Sequence, residues 1–223
     1  MKTCIINLAK NKYYPKAQKR LKESFLSHGY TGDFLFANEE SEWGAPSHKD
    51  IPYAFKSYGF QKAISMGYDR VIWCDSVIHL YNEHSLSRIY DQLDKTGNMI
   101  ALNAWSTGSW CSDDALKIFG ITRDEAFQIP HPMANVLGFD LNFPDSVEFL
   151  RQYHMYAQNG AFKGAWTNKN NEVSLDHRVL GHRHDQTAAG VIAWRLGMTL
   201  LDDWTSYDPK NIRPMFVFLT SMP

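Results

Sequence analysis

The feature that most limits the fold of this 223-residue sequence is a regular alternation of strand-like and helix-like segments over residues 3–104. Short apolar, β-prone runs predict strands, and apolar positions at helical spacing predict helices. The predicted strands are 3–9, 34–37, 70–74 and 99–104, and the predicted helices are 14–28, 53–66 and 84–95. This alternation favours an α/β, Rossmann-like fold with a mainly parallel central sheet and helices on both faces.

The second part of the chain has a less regular pattern. Residues 105–130 predict a loop with one short helix, and residues 160–183 predict an irregular loop. The other predicted elements are strands at 133–141 and 199–201 and helices at 113–119, 144–158 and 185–196. There is no internal repeat, low-complexity tract or linker, so residues 1–223 are predicted to form one domain.

Composition excludes several classes of protein. The 23 basic and 24 acidic residues give a formal net charge of -1, which offers no overall attraction to nucleic acid or to an anionic membrane. No run approaches the ~18 apolar residues of a membrane span, and the apolar stretch near the N-terminus is too short for a secretory signal. Three widely spaced cysteines without a C-x-x-C motif favour a reducing compartment such as the cytoplasm, or a host cytoplasm if the chain is viral.

Two charged residues flank the third predicted strand. Asp75 directly follows this strand, at the edge of the sheet where α/β proteins bind ligands. A carboxylate there suits a divalent cation that bridges to a diphosphate, although a strand-ending Asp also commonly forms an Asx-turn. Lys56 begins the preceding helix, so its ammonium group could return over the strand ends toward a phosphate, or it could be a surface lysine.

A dense polar cluster opens the last predicted helix. Asp176-His177-Arg178 precedes the segment 181–187, which contains His182, His184 and Asp185. Imidazole and carboxylate groups together could bind a metal, orient a sugar or act as a general base. A first-turn acid such as Asp185 could instead cap the helix.

A second polar segment, residues 129–135, leads into the predicted strand at 133–141. His131 stands between two prolines, which favour an extended backbone, and Asn135 interrupts an apolar run. A buried asparagine must find hydrogen-bond partners. Asn135 is therefore either a core amide bonded to the backbone or a site residue.

The order of these segments resembles the GT-A glycosyltransferases, especially the group that includes glycogenin and bacterial sugar transferases. The stretch 8–14 looks like that group's first strand end, which holds uracil. Lys56 resembles that family's diphosphate-binding lysine, and the stretch 72–77 resembles its Asp-x-Asp strand end. Asn135 resembles the Asn of an Asn-Ser/Ala-Gly strand, and Asp185-Gln186 resembles the Asp-Gln that faces the donor sugar. The chain is also similar to the compact transferase domains of large algal viruses. The matching positions are Leu8, Lys10, Asn11, Tyr14, Lys56, Asp75, Ser76, Val77, Asn135, Asp185 and Gln186.

The resemblance implies an enzyme that moves a sugar from a nucleotide-diphosphate donor, a UDP-sugar, to a hydroxyl acceptor on a glycan or another molecule. It implies a donor-binding half at about residues 1–104, an acceptor half at about 105–223, and Mn²⁺ or Mg²⁺ held by Asp75. We expect the catalytic groups to be Asp185, His184 and Gln186, with a hexosyltransferase-like activity.

The sequence departs from the family pattern at three places. Val77 stands at the second Asp of Asp-x-Asp, and no histidine follows His184. The family's C-terminal Lys-Pro-Trp segment is absent, unless Lys210 or Arg213 substitutes for it. Two arrangements remain open: Asp75 holds a metal with His79, His184 or water, or positive side chains replace the metal.

Two other functions also remain open. One is a metal-dependent hydrolase that uses His177, His182, His184 and Asp185. The other is a non-catalytic module that binds a sugar or a nucleotide.

Overall fold

The computed structural model of the protein describes residues 1–202, 205–206 and 217–220. The strands are β1 Thr3–Leu8, β2 Asp33–Ala37, β3 Arg70–Cys74, β4 Ile78–Leu80, β5 Asn98–Ser106, β6 Pro130–Asp140, β7 Thr205–Ser206 and β8 Phe218–Thr220. The helices are α1 Tyr14–Ser27, α2 Ala54–Ser65, α3 Ser85–Thr96, α4 Asp113–Phe119, α5 Arg123–Gln128, α6 Pro144–Gln158 and α7 His184–Arg195.

The central sheet has five strands in the spatial order β2-β1-β3-β6-β5. Strand β1 pairs in parallel with β2 and with β3, whereas β6 runs antiparallel to both β3 and β5. Four of these five strands therefore point the same way, which confirms the predicted mainly parallel α/β sheet. Strand β6 can be reversed because the segment between β5 and β6 carries only short helices instead of a long crossover helix.

Both faces of the sheet are buried, as a parallel sheet requires. Along β3, Val71 and Trp73 belong to one apolar cluster, which also contains residues of α2, α6 and α7. Ile72 and Cys74 point to the opposite face, into a second cluster with residues of α1 and α3. The alternation follows from the two-residue period of a strand and accounts for the continuous apolar run at 70–74.

The pairing register brings several chain segments to one edge of the sheet. Ile6 of β1 is paired with Trp73 of β3, so the residues that follow these two strands meet at their common carboxyl edge. Because β6 is reversed, its first residues begin at that same edge, with Val136 paired to Cys74. Residues from all three strands can therefore contribute to one site.

Some elements differ from the sequence prediction. Residues 199–201 do not form a strand; Leu201 makes only an isolated bridge to Ala101. A second sheet of order β4-β8-β7, which the pattern did not predict, joins residues just after Asp75 to the C-terminal part. Lys210 and Arg213 lie outside the described residues, and within the described ranges no helix is both long and apolar enough to cross a bilayer.

Candidate active site

A cavity of about 400 Å³ opens at the carboxyl edge of β1 and β3. Its volume lies in the range of roughly 300–1,000 Å³ that is usual for ligand sites. Sequence-predicted site residues supply much of the lining: Leu8, Lys10, Asn11, Tyr14, Asp75, Ser76 and Val77. The other lining residues were not predicted from the sequence: Glu40, His48, Tyr53, Phe55 and Trp73.

The turn after β1 forms one wall of this cavity. Asn11 has a φ of 64°, a left-handed conformation that asparagine tolerates well, and its side-chain oxygen accepts a hydrogen bond from the backbone of Tyr13. The Lys10 ammonium group lies 2.8 Å from the buried carboxylate of Glu40 and 3.0 Å from Glu39. The Lys10 ammonium group therefore lies at the rim of the cavity and is ion-paired with two acidic side chains.

The centre of the site is a buried lysine between two carboxylates. The Nζ atom of Lys56 lies 3.0 Å from Oδ2 of Asp185 and 3.4 Å from Oδ1 of Asp75. It also donates a hydrogen bond of 2.7 Å to the carbonyl oxygen of Ala134 in β6. An ammonium group has three donors, so all three have a partner inside the protein.

The charge states of this cluster follow from burial and pairing. Burial alone lowers the pKa of the Lys56 ammonium group, but Asp185 and Asp75 outweigh it and the pKa is raised. Burial raises the pKa of Asp75, and Lys56 partly offsets this effect. Burial and the neighbouring Asp185 raise the pKa of Tyr153, so its hydroxyl stays protonated and donates to Asp185 at 3.1 Å.

Lys56 does not lie where the sequence analysis placed it. Its side chain is 3% exposed and its donors are used within the cluster, so Lys56 is not a surface lysine and the predicted reach over the strand ends toward a diphosphate is not seen in this structure. A lysine at a buried position requires counter-charges nearby, and these come from carboxylates distant in sequence. Local sequence around Lys56 carries no sign of them.

Asp185 is not a helix cap. Helix α7 has no side-chain hydrogen bond to its first turn, and the Asp185 carboxylate instead contacts Lys56 and Tyr153. The next residue, Gln186, donates from its amide nitrogen to the carbonyl oxygen of Pro132 at 2.6 Å. Gln186 thereby ties the start of α7 to β6, which fixes the position of Asp185 beside Lys56.

His184 lies between the carboxylate cluster and an aromatic surface. Its Nδ1 atom is 2.9 Å from the carbonyl oxygen of Phe162, so Nδ1 carries the proton and Nε2 has the lone pair. Its ring centroid is 5.6 Å from that of Tyr53 and 5.7 Å from that of Trp166. Burial lowers the pKa of His184, which keeps the ring neutral near pH 7.

Tyr53 and His184 share an uncommon backbone conformation. Tyr53 has a φ of 59° and His184 a φ of 48°, in the left-handed region that large side chains rarely occupy. Such conformations cost about 1–3 kcal/mol each and concentrate at functional sites. These two residues open α2 and α7, which carry Lys56 and Asp185, so the strain lies where the cluster is assembled.

The remaining predicted residues hold the strand ends in place. The carbonyl oxygen of Asn135 accepts a hydrogen bond of 2.7 Å from the backbone N–H of Asp75. The hydroxyl of Ser76 donates to the buried Asn7 of β1 at 3.1 Å. The carbonyl oxygen of Val77 accepts from Arg20 of α1. Asn135 and Ser76 are both largely buried; Ser76 and Val77 line the cavity, whereas Asn135 does not.

The side chains around Asp75 do not fit a dedicated metal centre. Oδ1 of Asp75 already accepts from Nε1 of Trp73 at 2.7 Å and faces the Lys56 ammonium group. Among the described residues no group of three or more His, Cys, Asp or Glu side chains could hold a metal ion, so Asp75, His79 and His184 do not form one. A fixed positive charge, the ammonium group of Lys56, lies between the carboxylates instead.

The histidine cluster does not converge as a hydrolase site requires. Nδ1 of His182 accepts from the backbone N–H of Ser112 at 3.2 Å, and Nε2 donates to the carbonyl oxygen of Ala161 at 3.0 Å. Both ring nitrogens of His182 are therefore committed to the backbone, and His177 is exposed. The geometry argues against the metal-dependent hydrolase.

Two of the buried histidines predict a pH dependence of stability. Burial lowers the pKa of His131 and of His182 to about 3, so both are neutral when folded but bind protons when unfolded below about pH 6.5. Their stabilising contribution is complete above about pH 6.5 and is lost as the pH falls toward 3. We expect the free energy of unfolding to decrease by about 1.4 kcal/mol per pH unit for each histidine in that window.

Urea unfolding at pH 7, 6, 5 and 4 measures this effect. His182→Gln should reduce the slope of the unfolding free energy against pH by about 1.4 kcal/mol per pH unit, the contribution of one bound proton. The matched control is His177→Gln, at an exposed position, which should keep the wild-type slope. Equal slopes for all three proteins would contradict the assignment.

Sequence reasoning missed Tyr53 and Tyr153. Tyr153 lies four residues after Phe149 on the buried face of α6, where the pattern indicates only core packing. A phenol on a buried face must find a hydrogen-bond partner, and this is the one signal that could have indicated a polar neighbour. Tyr53 gave no local signal, since its role depends on a stack with residue 184.

Comparison with known proteins identifies the kind of fold. The chain has a glycosyltransferase-like fold. It is similar to the crystal structure of a glycosyltransferase involved in the glycosylation of the major capsid of PBCV-1, with a TM-score of 0.53 and 14% sequence identity. The match covers 97% of this chain and 94% of the other. No protein-family model and no curated protein sequence matches the chain.

Proposed function

We propose that the protein is a glycosyltransferase of the hexosyltransferase type that moves a sugar from a UDP-linked donor to a hydroxyl acceptor. The observation that carries the proposal is the buried Asp185–Lys56–Asp75 cluster, whose Asp75 lines a ligand-sized cavity on the carboxyl edge of the sheet. The glycosyltransferase-like fold supports it. The buried, free cysteines Cys4, Cys74 and Cys111 support a reducing compartment such as the cytoplasm.

The donor nucleotide is proposed to lie against the turn after β1. Leu8, Asn11 and Tyr14 line this part of the cavity, and an aromatic ring such as Tyr14 gives a base a stacking surface. Lys10 lines the cavity with a side chain 46% exposed, and its charge favours a diphosphate over a neutral group. The sugar then extends toward Asp75 and Asp185.

The reaction needs one bond to form and one to break. The acceptor oxygen bonds to the anomeric carbon, and the bond from that carbon to the diphosphate breaks with its electron pair staying on UDP. The Asp185 carboxylate stabilises the positive charge that develops on the sugar, because Lys56 and Tyr153 hold it in a fixed position. The lone pair on Nε2 of neutral His184 accepts the proton of the acceptor hydroxyl.

A thermal-shift screen tests the donor. We expect UDP and a UDP-sugar to stabilise the protein more than ATP or GDP, by about 2.7 kcal/mol at a concentration 100 times the Kd. Each nucleotide is measured with and without Mn²⁺, and a Mn²⁺-dependent gain that Asp75→Ala abolishes would assign the metal to Asp75. Equal shifts for UDP and ATP would reject the uridine assignment, and binding of UDP-sugars without turnover would indicate a non-catalytic module.

Two neighbouring tyrosines provide a matched pair of variants for this screen. Tyr14 lines the cavity, whereas Tyr13 is 59% exposed and does not. Tyr14→Ala should weaken UDP binding about tenfold through the loss of base stacking, and Tyr13→Ala should change it little. Similar losses in both variants would move the base away from Tyr14.

A further inference from the structure

One arginine next to the catalytic cluster lies between two tryptophans. The guanidinium carbon of Arg183 is 3.9 Å from the ring centroid of Trp110 and 3.6 Å from that of Trp166. Indole rings therefore cover the guanidinium group from two sides. An arginine that stacks in this way can form hydrogen bonds only at its edge, in the plane of its N–H groups.

The charge of Arg183 has no counter-ion in the part of the chain that the structure describes. There, no carboxylate lies within ion-pair distance, no hydrogen bond leaves its side chain, and its Nη1 atom is buried without a partner. Arg70 and Arg123, whose side chains are 6% and 13% exposed, differ: Arg70 pairs with Asp140 and Asp94, and Arg123 pairs with Asp113 and two carbonyl oxygens. Partial burial of a cation without a partner destabilises the fold. A ligand that accepts its hydrogen bonds and pairs with its charge therefore gains binding energy.

The arginine is joined to the cavity by a continuous row of rings. Tyr53 lines the cavity and packs against His184, and His184 packs against Trp166. Trp166 is 49% exposed, and Trp105, which contacts the edge of Trp110, is 50% exposed. Exposed indoles give flat apolar surfaces on which a sugar ring can stack.

We propose that this Arg183 subsite, formed by Arg183, Trp105, Trp110 and Trp166, binds the acceptor and selects a sugar that carries an anionic oxygen group, with a carboxylate preferred. The inference rests on the proposed function, since it names the acceptor of that transfer. The edge of a planar guanidinium group matches the two oxygens of a carboxylate, and the indoles bind the ring that carries it. An acceptor held there lies beside His184, the residue next in sequence, whose Nε2 is assigned the acceptor proton.

Binding measured without any donor tests the subsite directly. Tryptophan fluorescence is titrated with methyl β-glucuronide, methyl β-glucoside and glucose 6-phosphate. We expect the glucuronide to bind about 10- to 100-fold more tightly than the neutral glucoside, the range that charge-assisted hydrogen bonds give. Tighter binding of glucose 6-phosphate than of the glucuronide would assign a phosphate in place of the carboxylate, and equal binding of all three would overturn the proposal.

Variants separate the charge from the stacking surface. Arg183→Gln should reduce the preference for the glucuronide to within about twofold, and Arg183→Lys should restore part of it because the charge returns without the planar edge. Trp166→Leu should weaken the glucuronide and the glucoside alike, and it keeps the proposal testable if Arg183→Gln folds poorly. The control is Arg151→Gln, an exposed arginine of α6 paired with Glu148, which should leave the preference unchanged.

Two further readouts distinguish the possible failures. If Arg183→Gln weakens UDP binding while the preference for the glucuronide persists, the guanidinium group serves the donor and the proposal is overturned. Release of UDP from a UDP-sugar reports the proposed function separately. Selective glucuronide binding that depends on Arg183, without any turnover of UDP-sugars, would sustain the anion subsite and contradict the transferase.

Discussion

Replacing Asp185 with asparagine is expected to lower the rate of sugar transfer by about 10²- to 10³-fold, the usual effect of removing one preorganised electrostatic group. UDP affinity should stay within about twofold of wild type, because the proposed site for uridine and diphosphate is on the other side of the cavity, at the turn after β1. The physical reason is the loss of the negative charge that the proposed mechanism assigns to stabilising the anomeric carbon. Turnover of a UDP-sugar and UDP affinity, both measured on this variant, check the prediction.

The stability of the same variant separates catalysis from helix capping. Asparagine caps a helix as well as aspartate does, so a capping role predicts no loss. The buried ion pair with Lys56 predicts a loss of about 2–3 kcal/mol in the free energy of unfolding. The control is Asp145→Asn, an exposed first-turn residue of α6, which should change neither stability nor turnover. Full activity in Asp185→Asn would remove Asp185 from the mechanism.

Lys56→Met is expected to destabilise the protein by about 3–5 kcal/mol, since it leaves two carboxylates without their shared counter-ion. For a chain of this size that loss lowers the Tm by about 10 °C. Thermal and urea unfolding measure it. Lys62→Met, at an exposed position of the same helix, should cost less than about 0.5 kcal/mol and serves as the control.

A double-variant cycle shows whether the loss comes from the ion pair. If the unpaired Asp185 carboxylate causes it, adding Asp185→Leu to Lys56→Met should recover at least about 2 kcal/mol, because an apolar pair often replaces a buried ion pair without penalty. Additive losses in the double variant would show that Lys56 acts through packing alone. The free energies of unfolding of the four proteins give the coupling directly.

The sequence predicted the sheet better than it predicted the site. The four strands up to residue 104 are predicted within two residues of their observed ends because each is a compact apolar run between helices of clear period. Strand β4 and helix α5 were missed, since three and six residues give too little periodicity. The reversal of β6 depends on how the chain crosses the sheet edge, which no local pattern specifies.

The site shows the same limit at the level of single side chains. The cavity lies where β1 and β3 end, and strand ends can be predicted from the sequence. Leu8, Asn11 and Asp75 could therefore be placed at the cavity from their positions in the sequence. The partners of Lys56 could not, because Asp185 is more than a hundred residues away and only tertiary structure brings it within 3.0 Å. In a short window of sequence, a lysine at the surface and a lysine buried between carboxylates look the same.

The reversed strand β6 has a consequence for how the chain must assemble. Strands β3 and β5 are both complete by residue 106, yet they do not touch each other, because β6 lies between them in the sheet. A ribosome that has released the first 106 residues has therefore produced the three-stranded piece β2-β1-β3 and the separate strand β5, with a gap between them. The gap is filled only when residues 130–140 arrive, and the carbonyl oxygen that fixes Lys56 arrives with them. The edge of the sheet beside Asp75 is therefore completed only after residue 140 has been made, and Asp185 follows later still.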